Sequence, residues 1–110
     1  ILEIKNLIKN SAKPKKSASI KEVVKIIADF YNVTEESILD KTRKKEIVKP
    51  RQIIMYVLRE DFNISFPSIG EKLGGRDHTT VIHSCEKVKS DLKTNSTLSQ
   101  ELSQIRSLIS

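Results

Sequence analysis

Apolar residues in this chain return every three or four positions and nowhere alternate strictly with polar ones. The pattern predicts helices throughout and an all-α fold. Ile1, Ile4, Leu7 and Ile8 share one helical face, and the polar stretch 11–17, interrupted by Pro14, reads as a linker. Residues 1–18 are therefore expected to be a connector helix and linker from an upstream domain, and residues 19–110 a compact helical domain of their own. The start at Ile1, with neither Met nor a signal-peptide pattern, agrees with a piece of a longer chain. Ser19 and Glu22 have the spacing of a capping box, and Ile20, Val23, Val24, Ile27, Phe30 and Tyr31 follow on one face. Thr34 is placed to cap a short helix that buries Ile38 and Leu39. Residues 41–49 show no usable apolar period and are expected to be an exposed loop, with Pro50 in the first turn of the next helix and Ile53, Ile54, Val57 and Leu58 on its buried face. Ser65 opens a further helix carrying Ile69 and Leu73, which stops at Gly74 and Gly75. Asp77 is placed to cap a long helix to about Lys93. Thr97 and Gln100 have capping-box spacing for a last helix with Leu98, Leu102, Ile105, Leu108 and Ile109 as its apolar set.

Two of these helices, 67–73 and 77–93, are joined by the short turn Gly74-Gly75-Arg76, which is the helix-turn-helix pattern. At about 100° per residue, Val81, Cys85, Val88 and Leu92 of the second helix form a core stripe. Thr79, Thr80, His83, Lys87 and Ser90 lie opposite, and Arg76 projects the same way from the turn. Short hydroxyl side chains on a helix let its backbone approach a groove closely and bond phosphates or base edges. Lys87 and Arg76 supply counter-charge for phosphates, and His83 donates even when neutral. Asp77 has two open roles, which its two oxygens can share: capping the helix, and accepting from the N4 amino group of a cytosine. A solvated helix face with no ligand would carry the same residue types.

Charge sharpens the picture. The chain carries a formal charge of +6, the footprint of a polyanion binder. The positive residues concentrate at Lys5, Lys9, Lys13, Lys15 and Lys16, and again at Lys41, Arg43, Lys44, Lys45, Lys49 and Arg51, where Glu46 is the only acid. An exposed basic arm is the kind of element that enters a minor groove, and Arg suits a narrow groove better than the more strongly hydrated Lys. Arg43 is thus the candidate for the minor groove, with Lys45 and its neighbours nearer phosphates. The single Cys85 rules out an internal disulfide and fits a reducing cytoplasm. No apolar run approaches the length of a membrane span.

The run Gly74-Gly75-Arg76-Asp77-His78-Thr79-Thr80-Val81-Ile82-His83 resembles the signature of the bacterial DnaA family of chromosome replication initiators. Lys49-Pro50-Arg51-Gln52 and Phe66-Pro67-Ser68-Ile69-Gly70 are similar to that family too, and the resemblance extends from about Ser19 to the end. It implies sequence-specific binding of double-stranded DNA at origin elements resembling TTATNCACA, the DnaA boxes, with the recognition helix in the major groove. By the same resemblance Asp77, His78 and Thr79 contact base edges and Arg43 enters the minor groove, while Arg51, Gln52, Arg59, Thr80 and His83 contact phosphates. The basic loop matches the family only loosely, at Thr42 and Glu46. The resemblance also implies a cytoplasmic, nucleoid-associated bacterial protein. Its ATP would be bound by an upstream domain, with no cofactor in these residues. Other initiator molecules would be partners of the longer chain, and the isolated domain is expected to be a monomer on an asymmetric site.

Other classes fit less well. His78 and His83 are five residues apart, about 140° around a helix, whereas helical metal pairs need a spacing of three or four. With Cys85 on the core stripe and no P-loop pattern, an enzyme is not expected. A helical protein-interaction module would use the apolar faces of residues 1–8 and of the last helix, but would not need the clustered charge. A helix-turn-helix transcription regulator would share the mechanism and differ in its DNA target.

Overall fold

The computed structural model describes residues 19–109, and every regular element among them is an α-helix. In chain order these are α1 (Ile20–Phe30), α2 (Glu35–Leu39), α3 (Lys45–Glu60), α4 (Phe66–Lys72), α5 (His78–Leu92) and α6 (Ser96–Ile109). The expected connector helix and linker, residues 1–18, lie outside the described residues.

Helix starts follow local chemistry. At α1 the capping box is complete: Glu22 N–H donates to Ser19 Oγ at 3.1 Å, and Ser19 N–H donates to Glu22 Oε1 at 3.0 Å. Such a cap stabilises a helix by about 1 kcal/mol. Thr34 caps α2 and Ser65 caps α4 without the reciprocal half of the box, their hydroxyl oxygens accepting from Ser37 N–H and Ser68 N–H. Asn32 and Asn63 take left-handed φ values of 59° and 55° just after α1 and α3, a conformation that Asn tolerates better than most residues.

α3 is the centre of the domain. Ile53, Ile54, Met55, Val57 and Leu58 are all fully buried, because α1, α2, α4 and α5 pack around this helix. α6 returns across α5 and α1, burying Leu98, Leu102, Ile105 and Ile109. Two polar clamps hold α6 in place. Arg106 makes a two-pronged ion pair with Asp61 at 2.9 and 3.0 Å. Glu101 accepts from the Tyr31 hydroxyl at 2.8 Å and pairs with Lys49 at 3.1 Å. Burial, then the Glu101 carboxylate, push the Tyr31 phenol well above its usual range, so it remains a donor.

Several expectations need correction. α3 starts at Lys45 and Pro50 lies inside it, so only residues 41–44 of the basic stretch are loop. The helical period is present, at Ile47, Arg51, Ile54 and Leu58, but a charged residue occupies one of its buried positions and hides it. Leu39 is 41% exposed, since it ends a five-residue helix whose one buried residue is Ile38. Leu108 is 59% exposed, one residue away from the buried Ile109. The cap of α6 is Asn95, whose Oδ1 accepts from Leu98 N–H at 3.0 Å, in place of the expected Thr97 box.

Candidate nucleic-acid interface

The turn between α4 and α5 is built from glycine geometry. Gly74 and Gly75 have φ of +84° and +73°, the left-handed region expected after the helix stop. Gly74 is doubly constrained, because a Cβ there would lie 2.4 Å from Leu39 O. Gly70 has a role that the sequence reading missed. Its carbonyl accepts from Arg76 N–H at 2.7 Å, and a Cβ on it would lie 2.1 Å from the Arg76 carbonyl oxygen. The signal was available, since a glycine inside a helix costs stability and so marks a close approach.

This turn presents α5 with one face inward and one outward. Val81, Ser84, Cys85 and Val88 are buried, while His78, Thr79, Thr80, His83, Lys87 and Ser90 are exposed. Burial, with the nearby Glu60 adding, raises the Cys85 thiol to about 11, and so it stays protonated. Asp77 occupies the N-cap position, yet its side chain makes no capping bond. Its carboxylate instead lies 3.6 Å from His78 Nδ1, and both side chains are exposed. Of the two roles open to Asp77, capping is therefore not the one it performs here. Lys87 pairs with Asp91 one turn further on at 3.3 Å. Such an exposed pair is weak and yields readily to a phosphate.

Two arginines expected at phosphates are tied to backbone carbonyls. Arg51 is only 7% exposed. Its Nε donates to Ile38 O at 2.9 Å, Nη1 to Thr42 O at 3.0 Å, and Nη2 to Ser37 O at 3.2 Å and Asp40 O at 3.0 Å. A guanidinium has five N–H donors, and most of these are spent on carbonyls. The cation thus closes the C-terminal end of α2, where unpaired carbonyls gather partial negative charge. Arg76 donates from Nη1 to Leu73 O and from Nη2 to Asp40 O. Burial lowers the affinity of both groups for their protons, and at Arg51 the neighbouring Arg76 adds to the effect. Arg59 is half-buried, lying over the Phe66 ring at 4.3 Å and donating to Ile64 O at 3.3 Å.

The loop these arginines hold carries exposed Arg43 and Lys44, and Lys45 opens α3 beside them. Arg43, Lys45, Lys49, Gln52 and Lys87 gather around a single open groove of about 440 Å³ between α3, α5 and the start of α6, floored by Val48, Ile53, Val88 and Leu98. The structure therefore brings the loop candidates and Lys87 of α5 to one side of the molecule. Among the described residues no group of three or more His, Cys, Asp and Glu side chains could hold a metal, and no helix is long and apolar enough to cross a membrane.

A glycine-built turn, an exposed hydroxyl- and imidazole-bearing helix and an adjoining basic loop define a helix-turn-helix domain of the DNA-binding class. The family described as bacterial dnaA protein helix-turn-helix matches residues 20–88. The chain belongs to that family, and its helix-turn-helix is a DNA-binding element. It is 45% identical over 92 residues to the chromosomal replication initiator protein DnaA of Limosilactobacillus reuteri (strain DSM 20016), and equally to that of the subspecies reuteri (strain JCM 1112). These matches cover 84% of the chain and 21% of each relative, so the chain spans about a fifth of their length. A crystal structure of a DNA replication initiation factor superposes with a TM-score of 0.72 at 26% identity, covering 94% of this chain and 32% of that one.

Proposed function

We propose that this domain binds double-stranded DNA at boxes resembling TTATNCACA, with α5 in the major groove and the 41–44 loop in the adjacent minor groove, to start chromosome replication. The observation that carries the reading is the placement of Arg43, Lys45, Gln52 and Lys87 around one groove beside the exposed face of α5. Asp77, His78 and Thr79 read base edges, and Arg43 reads the minor groove. Lys45, Gln52, Arg59, Thr80, His83 and Lys87 contact phosphates, Arg59 by giving up its bond to Ile64 O. The Asp77 carboxylate, free of any capping bond, supports direct acceptance from a cytosine amino group. One domain on each asymmetric box suits a monomer, with other initiator molecules as partners of the longer protein. In that protein an upstream domain would bind ATP, and the nucleoid would be its place of work.

Fluorescence anisotropy at near-physiological salt, comparing a labelled TTATCCACA duplex with a scrambled duplex of equal composition, tests this proposal. A preference for the box of at least about a thousandfold over non-specific DNA is the expected result for a specific domain. Equal binding to both duplexes would mean another DNA target, as for a transcription regulator. Binding to neither would refute the DNA reading.

A further inference from the structure

The two reading elements of the proposed function lie on separate stretches of chain, yet one side chain joins them. Arg76, in the turn that leads into α5, sends one guanidinium nitrogen to Leu73 O and the other to Asp40 O at the base of the basic loop. Beside it Gly74 sits directly on Leu39 O, with no room for a Cβ. On the far side of the loop Arg51 holds the same Asp40 carbonyl and that of Thr42. Arg43 therefore projects from the residue immediately after a held carbonyl, and Arg76 is the side chain of the α4–α5 turn that reaches this base.

We propose that Arg76 is a positioning residue, which sets the distance between Arg43 and the head of α5 and so decides which base pairs are read together. The inference rests on the DNA reading above. The geometry favours this role over a phosphate contact, because a donor on each terminal nitrogen is tied to backbone, at Leu73 O and Asp40 O, which fixes the guanidinium over the base of the loop. A bridge between two chain segments also needs the planar, two-nitrogen fork of Arg. A lysine would supply the same charge to a phosphate from one nitrogen but would not span the two carbonyls. Reading residues must be held within a fraction of an ångström to discriminate bases, so a looser bridge costs specificity first.

A double-mutant cycle tests it, with Arg76→Lys and Arg43→Ala made singly and together and binding measured to the box and scrambled duplexes over a salt series. Positioning predicts that Arg76→Lys lowers box preference about fivefold to tenfold in the parent, by less than about twofold once Arg43 is Ala, and leaves the salt slope unchanged. Additive losses, or a preference that Arg76→Lys leaves intact, would overturn the inference. Arg76→Met, which keeps the stem and removes both bonds, is the second variant, and thermal melting checks each. If both variants unfold, Arg76 is a residue of the fold and the positioning role is wrong. A parent domain that binds both duplexes equally removes the box reading and this inference with it, whereas a discriminating parent with an additive cycle removes only the inference.

Discussion

Arg51→Met removes a buried cation while keeping an apolar stem of similar reach. Four hydrogen bonds to Ser37, Ile38, Asp40 and Thr42 carbonyls are lost, and of these the bond to Ile38 O is fully buried. A bond to a charged group contributes roughly 1.5–3 kcal/mol net where water cannot replace it, and about 0.5–1 kcal/mol where water can. Taking about 2 kcal/mol for the buried bond and about 0.5–1 for each of the others gives about 3.5–5 kcal/mol. Relief of the desolvation cost of the guanidinium returns part of this, leaving a loss of about 2–4 kcal/mol. At about 4–8 °C per kcal/mol for a domain of this size, the midpoint should fall by roughly 8–32 °C. Melting followed by far-UV circular dichroism measures it. A variant that melts within about 4 °C of the parent, yet binds DNA with a salt slope reduced by about one unit, would refute the reasoning and restore Arg51 as a phosphate contact.

Three further outcomes are expected. Asp77→Ala and Thr79→Ala should each weaken box binding by about 1–3 kcal/mol and relax base preference, whereas scrambled DNA should bind almost as before; unchanged discrimination in competition assays counts against direct readout. Gly74→Ala should destabilise more than Gly75→Ala, since both strain a positive φ but only Gly74 also collides with Leu39 O. Equal melting temperatures for the two variants would contradict this ordering. The Cys85 thiol, raised to about 11, is held neutral in the folded state, so the unfolded chain loses its proton first as pH rises. The stability it contributes should be complete below about pH 8.5 and decline toward pH 11, and a Cys85→Ala variant should lack this part of the decline in urea titrations.

Much of this was legible along the chain. The capping box at Ser19, the left-handed glycines and the core stripe of α5 each follow from short-range rules acting on a few neighbouring residues, and the structure has all three. The start of α3 was not legible, because its helical stripe runs through Arg51. A charged residue at a buried position breaks the apolar period, and the compensation lies nine to fourteen residues away, in the carbonyls of α2 and the loop after it. The role of Gly70 was hidden for a related reason, since its neighbour is the backbone of Arg76 across the turn. The exposed candidates on α5 could be placed from the wheel alone. The groove that brings Arg43 to the side of Lys87 could not, because it depends on how α3 crosses α5.

Pro50 has a mechanical consequence. It has no N–H to donate, so the Glu46 carbonyl, one turn back in α3, lacks its usual partner. The turn that carries Lys45 and Lys49 is thereby joined to the buried part of α3 by one bond fewer than an uninterrupted helix would have. The helix is divided into a core segment anchored by Ile53 to Leu58 and an N-terminal turn, held inward chiefly by Ile47, that can open at lower free energy. Amide exchange should be faster at Ile47 to Lys49 than at Ile54 to Leu58. In the DNA complex proposed above, the basic end of the helix could then follow a curved phosphate backbone without the core having to yield.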